Sequence, residues 1–212
     1  MEKILFFGDS ITDACRVREP QNPISPYGFG YVMQIVGKLA EKNPIEYEVI
    51  NKGISGDRIV DLYSRIKKDV WNQNPDVLTI LVGVNDVWHE IFYGNGVEID
   101  RFEKIYRILI EDTKKVLPNT RIILCEPFFL LGSATEENYN KFKEVLDYAK
   151  VVKAIAKDYD LEFLPLQEKF DEAAKKYGAT TFLWDGVHPS IPGATLIANE
   201  WMTLFENNKE KK

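Results

Sequence analysis

The first apolar run of the chain ends in Gly8-Asp9-Ser10-Ile11-Thr12-Asp13, and three chemistries compete for that segment. A phosphate-cradling loop would need several glycines and a lysine, and only Gly8 is present. Gly28-Phe29-Gly30 supplies a GxG, but Met33 stands where the third glycine belongs and no strand immediately precedes it. An aspartyl nucleophile at Asp9 would have a second aspartate two positions on, a place taken by Ile11. What is left is Ser10 as a nucleophile, which needs a base and oxyanion donors from elsewhere. The plain structural alternative is that Asp9 and Ser10 cap a helix.

Three later segments could complete such chemistry. In Asn51-Lys52-Gly53-Ile54-Ser55-Gly56-Asp57, Gly53 and Gly56 let backbone N–H groups face a cavity without a side chain in the way. The plain reading there is a strand-to-helix turn with Ser55 or Asp57 as the N-cap. Gly83-Val84-Asn85-Asp86 offers the Asn85 amide as an oxyanion donor, against an ordinary turn asparagine. Near the end of the chain, Trp184-Asp185-Gly186-Val187-His188-Pro189 puts a histidine three residues after a carboxylate on a loop bounded by Gly and Pro. A base for a serine must be neutral near pH 7 and held in one tautomer, and Asp185 can hold His188 so. The only other histidine, His89, lacks that local partner in a rigid loop.

These segments need a scaffold that brings them together. Short, nearly continuous apolar runs at Ile4–Phe7, Tyr47–Ile50, Val77–Val82, Arg121–Cys125 and Leu161–Leu164 read as strands covered on both faces. Helical stripes lie between and after them: Ile59, Leu62, Ile66 and Val70; Phe102, Ile105, Leu109 and Val116; Phe142, Val145, Ala149, Val152 and Ile155; Ile197, Trp201, Leu204 and Phe205. Pro44, Pro75 and Pro118 punctuate the helix-to-strand connections. Alternation of strand and helix predicts an α/β fold: a single three-layer α/β/α domain over residues 1–212, with a flavodoxin-like five-stranded parallel sheet in the order 2-1-3-4-5. In that winding the direction reverses between strands 1 and 3, and ligands bind at the carboxyl ends there. The segments beginning at Gly8, Asn51 and Gly83 all fall at those ends.

Composition limits the alternatives. With 212 residues, 45% hydrophobic and 28% charged, the chain can bury a core and does not read as disordered. Its 27 basic and 33 acidic residues leave a net charge of −6, a poor basis for binding nucleic acid or an anionic membrane. The only clustered lysines, Lys209, Lys211 and Lys212, read as a frayed tail. Cys15 and Cys125 show no CxxC spacing and read as free thiols. No HExxH or paired CxxC suggests a metal site, so neither metal nor cofactor is expected. The start at Met1 has too short an apolar stretch for a signal peptide, and a cytoplasmic protein is the expectation.

Gly8-Asp9-Ser10, Gly53 within Asn-Lys-Gly-Ile-Ser-Gly, Gly83-Val-Asn85-Asp86 and Asp185-Gly-Val-His188-Pro resemble, in order, the four blocks of the SGNH (GDSL-type) esterases and acylhydrolases. They span residues 8 to 189, nearly the whole chain. There is no G-x-S-x-G of the α/β-hydrolase kind, because Thr12 occupies the second glycine position. Phe-Gly-Asp-Ser-Ile-Thr-Asp, Tyr-Gly-Phe-Gly-Tyr-Val and Trp-Asp-Gly-Val-His-Pro-Ser look closest to the small bacterial acetylxylan-esterase-like members.

The resemblance implies a carboxylic ester hydrolase with Ser10 as nucleophile, His188 as base and Asp185 as orienter. It implies an oxyanion hole made by Ser10, Gly53 and Asn85. Trp88, Tyr93 and Trp184 are the expected substrate-binding aromatics, with Tyr27 and Phe92 nearby in sequence; hydrophobic loop packing is the competing role for each. The expected partner is a small-molecule or oligosaccharide ester substrate, with a homo-oligomer left open. A short-acyl sugar deacetylase leads, ahead of a broad carboxylesterase or lysophospholipase-type acylhydrolase. A carbohydrate-binding module on an esterase-like fold is the non-enzyme alternative.

Overall fold

A computed structural model describes residues 1–19 and 22–207. The lysine tail at positions 209, 211 and 212 lies outside the described residues. Five strands, β1 (Glu2–Gly8), β2 (Tyr47–Gly53), β3 (Val77–Leu81), β4 (Arg121–Cys125) and β5 (Glu162–Leu164), pair in parallel in the order β2-β1-β3-β4-β5. The expected fold class and strand order are therefore observed.

The strand interiors explain why the apolar runs are continuous. Ile4 through Phe7 and Val77 through Val82 are all buried, as sheets covered on both faces require. Thr79 is the one polar residue within β3, and its Oγ1 accepts a 2.9 Å hydrogen bond from Trp201 Nε1. That bond lets a fully buried indole keep its polar handle satisfied while its rings pack on Phe6 and Phe205.

The helices are α1 (Ser10–Asp13), α2 (Tyr31–Lys42), α3 (Ile59–Asp69), α4 (Val84–Tyr93), α5 (Ile99–Val116), α6 (Tyr139–Phe142), α7 (Val145–Asp158), α8 (Gln167–Tyr177), α9 (Ala179–Phe182) and α10 (Ile191–Asn207). α2 packs beside α10, whereas α5 packs between α3 and α7. Right-handed crossovers put the first pair on one face of the sheet and the trio on the other, because the winding reverses at β1. The stripe expected from Phe142 onward is split: α6 ends at Phe142 and α7 starts at Val145. The expected caps of α3 also differ. Arg58 occupies the N-cap, in a reciprocal box with Asp61, while Ser55 and Asp57 serve elsewhere.

Register decides where the chemistry can go. Gly8 of β1 lies opposite both Gly53 of β2 and Leu81 of β3, so these strands finish level. The three turns that follow are therefore neighbours at one edge. No helix among the described residues is long and apolar enough to cross a membrane.

Candidate active site

The cap expected at the first segment is observed. Asp9 is the N-cap of α1, and its Oδ1 accepts the Ile11 N–H at 3.0 Å. That cap turns the chain sharply at the end of β1 and presents Ser10, whose Oγ lies 2.9 Å from His188 Nε2. On the far side of the ring, His188 Nδ1 is 2.6 Å from Asp185 Oδ2. The Asp185 Oδ1 accepts from the backbone N–H groups of Val187 (2.9 Å) and His188 (2.7 Å). Both oxygens of the carboxylate are thus committed, so the imidazole carries its proton on Nδ1 and offers Nε2 as acceptor to Ser10.

The charges fit that arrangement. Burial pushes the Asp185 carboxyl up, but the hydrogen bonds from His188 and the Val187 N–H hold it below the usual carboxylate range. Burial lowers the basicity of His188, but the hydrogen bond and charge of Asp185, with Asp9 adding, raise its pKa overall. Asp9 is fully buried, and loss of solvation pushes its pKa up to about 7 despite the Ile11 bond and the nearby imidazole. His89 stands outside this arrangement: its ring packs on Tyr93, and burial lowers its pKa.

The donors on the opposite side need one correction. The Gly53 N–H donates to Asn51 Oδ1 at 2.9 Å and is not available to an oxyanion. A Cβ at Gly53 would sit 2.2 Å from the Asp13 nitrogen, so glycine here permits close packing of β2 on α1. Three residues on, Gly56 has φ +87°, open space where a Cβ would go, and no acceptor for its N–H among the described residues. Of the two glycines in this turn, Gly53 has its N–H engaged, in place of the free donor expected there. Asn85 lies in the first turn of α4, nearly buried, and one hydrogen of its Nδ2 goes to the Asp57 carbonyl at 3.0 Å. Its other amide hydrogen has no acceptor among the described residues. Ser10 begins α1, where a backbone N–H has no intrahelical acceptor.

Ser10 and His188 open on a cavity of about 240 Å³ whose wall includes Cys15, Phe29, Ser55 and Trp184. A larger cavity, about 380 Å³, opens beside Asp86 and Glu90 but has neither Ser10 nor His188 in its wall. Of the expected aromatics, only Trp184 lines the Ser10 cavity; it is 59% exposed and stacks on the His188 ring at 5.8 Å. Trp88 meets the same ring edge-on at 6.0 Å but also packs on Phe142, so it buttresses the imidazole from outside the cavity. Tyr93 packs on His89 and Phe92 and does not reach the cavity. Tyr27 supplies a carbonyl to Asn51 Nδ2. The residue missed is Phe29, 71% exposed, whose only sequence signal was its place between two glycines. Cys15 and Cys125 are free thiols. Among the described residues no three His, Cys, Asp or Glu side chains gather to hold a metal ion.

A serine hydroxyl, an imidazole and a carboxylate in hydrogen-bonded succession at the carboxyl edge of such a sheet can transfer an acyl group. The chain belongs to the GDSL-like lipase/acylhydrolase family, whose model matches residues 6–196, and it is a carboxylic ester hydrolase. Within that family it is 36% identical over 208 residues to the acetylxylan esterase of Geobacillus stearothermophilus, covering 95% of this chain and 92% of that protein. A solved GDSL-like lipase from Parabacteroides merdae superposes with a TM-score of 0.89 at 39% identity, covering 96% of this chain and 94% of that one. The solved acetylxylan esterase Axe2 of Geobacillus stearothermophilus gives 0.86 at 36% identity, covering 96% and 93%. Its solved catalytic mutants replace with alanine a serine, or an aspartate or histidine three positions apart.

Proposed function

We propose that the protein removes acetyl groups from sugars or xylo-oligosaccharides. The observation that carries the reading is the continuous bond path from Ser10 through His188 to Asp185, opening on a small cavity edged by two exposed aromatics. Ser10 Oγ attacks the ester carbonyl carbon as its proton passes to His188 Nε2. The tetrahedral oxyanion is met by the N–H groups of Ser10 and Gly56 and the Asn85 amide. Collapse breaks the bond to the leaving alcohol, which takes the proton from His188. Water then attacks the acyl-serine, gives its proton to the same histidine, and acetate departs as Ser10 is reprotonated. Asp185 steadies the imidazolium in both halves.

The acyl preference rests on the 240 Å³ cavity and on likeness to an acetylxylan esterase. The spacing of Asp185 and His188 equals that of the aspartate and histidine replaced in the Axe2 mutants. Trp184 and Phe29 offer flat apolar faces of the kind that suit a sugar ring. Acetate release is to be measured from acetylated xylo-oligosaccharides, glucose pentaacetate and a lysophospholipid, with Ser10→Ala as the control. Acetylated sugars are expected to be the preferred substrates. Preference for octanoyl over acetyl p-nitrophenyl esters, or for the lysophospholipid, would overturn the deacetylase reading in favour of a broader acylhydrolase.

A further inference from the structure

Arg65 projects from α3 and is 13% exposed at its side chain. Its Nε donates to Asp57 Oδ2 at 2.6 Å, and Nη1 donates to the Lys52 carbonyl at 2.8 Å and to Asp69 Oδ2 at 3.0 Å. Nη2 reaches the Gly8 carbonyl at 3.1 Å, and the guanidinium lies 4.3 Å from the centre of the Phe7 ring. One planar group therefore joins the ends of β1 and β2 to the loop that leaves β2. A lysine ammonium, a single point of charge, could not span these acceptors in fixed directions.

The partners of Arg65 lead towards the reacting centre. Gly8 stands two residues before Ser10. Asp57 follows Gly56, and its main-chain carbonyl holds the Asn85 amide at 3.0 Å. The plane of that amide, and so the direction of its uncommitted hydrogen, depends on where the Asp57 carbonyl sits. We propose that Arg65 is a positioning residue for the oxyanion side of the site: it fixes the Asp57 loop and, through the Asp57 carbonyl, aims Asn85. The inference rests on the reading of Asn85 as an oxyanion donor. One of the three donors, the Gly56 N–H, rides on this loop, and a second, the Asn85 amide, is bonded to it. Burial raises the Asp57 carboxyl and the Arg65 charge pulls it back, so removing Arg65 would leave a half-buried carboxylate unpaired and free the loop to move.

The test compares Arg65→Met, Asn85→Ala and the double variant on p-nitrophenyl acetate, with near-UV circular dichroism and melting to monitor the fold. Arg65→Met is expected to lower kcat about 10²-fold, the scale of a displaced catalytic group, with KM nearly unchanged. In the Asn85→Ala background the same change is expected to cost about threefold or less, because there is no amide left to misaim. Equal losses in both backgrounds, a loss confined to KM, or an undiminished kcat would each overturn the inference. If Arg65→Met does not fold, Asp57→Ala takes its place, since it keeps the Arg65 bonds to Gly8 and Lys52. A kcat loss that depends on Asn85 supports the inference there, and an unchanged kcat overturns it. Full kcat in Asn85→Ala alone would instead remove the oxyanion reading beneath it, a result distinct from additive losses.

Discussion

The two sides of the site are built in opposite ways. On the His188 side, the imidazole, the carboxylate and the N–H groups that hold that carboxylate lie within four residues, 185 to 188, and every bond of the Asp185 carboxylate is to Val187 or His188. On the side proposed to meet the oxyanion, Ser10, Gly56 and Asn85 follow the ends of three strands, with Asn85 tied to Asp57 across 28 residues and Arg65 tied to Gly8 across 57. The local side has its side-chain bonds within one loop, whose backbone is tied to a single neighbouring segment through the Leu130 and Ala134 N–H groups. The distributed side needs the sheet register, the turn conformations and a buried ion pair to agree.

Substitutions can break this contrast, and the largest effect belongs to the local side. Asp185→Asn keeps an acceptor for the Val187 and His188 N–H groups but loses the charge that selects the tautomer, so kcat is expected to fall about 10⁴-fold with the fold intact. A small loss would mean the loop alone aligns the ring. Asn85→Ala is expected to lower kcat about 10²- to 10³-fold with little change in KM, and an effect on KM alone would remove the amide from the oxyanion.

The glycines sharpen the contrast further. Gly53→Ala forces a Cβ against the Asp13 backbone and is expected to destabilise the protein by about 1–3 kcal/mol in denaturant titration. Gly56→Ala meets no neighbour and bears only the cost of its positive φ, about 1–2 kcal/mol. If Gly56→Ala is the more damaging to stability, the division of roles between them is wrong.

The smallest effect is in the pH profile. His188 must be unprotonated to accept from Ser10, and Asp185 raises its pKa above 6.5. Activity therefore declines as pH falls through a value higher than 6.5, and the acid limb of kcat/KM measures it. A midpoint at or below 6.5 would show that the pairing with Asp185 is weaker than its geometry.

The same contrast explains what could be read from sequence. Asp185 and His188 were legible because their interaction is local, and the strand order followed from five apolar runs separated by helices. The engagement of the Gly53 N–H by Asn51 is not legible, because a glycine carries no mark of where its N–H points. Ser55 and Asp57 look like caps of α3 in the sequence, yet Asp13, 42 residues away, and Arg65, eight residues on, claim them. Tyr93 looked like a substrate platform from its nearness to Asn85, but eight residues along a helix turn it onto His89. The place of Phe29 in the cavity wall is not legible either, because an exposed aromatic in a glycine-bounded loop has no periodic signature.

The stacking of Trp184 on His188 makes the site optically readable. A protonated imidazole in contact with an excited indole draws charge from it and quenches its emission. Steady-state fluorescence of the resting enzyme, compared with Trp184→Phe, would then follow the protonation of His188 with no substrate present.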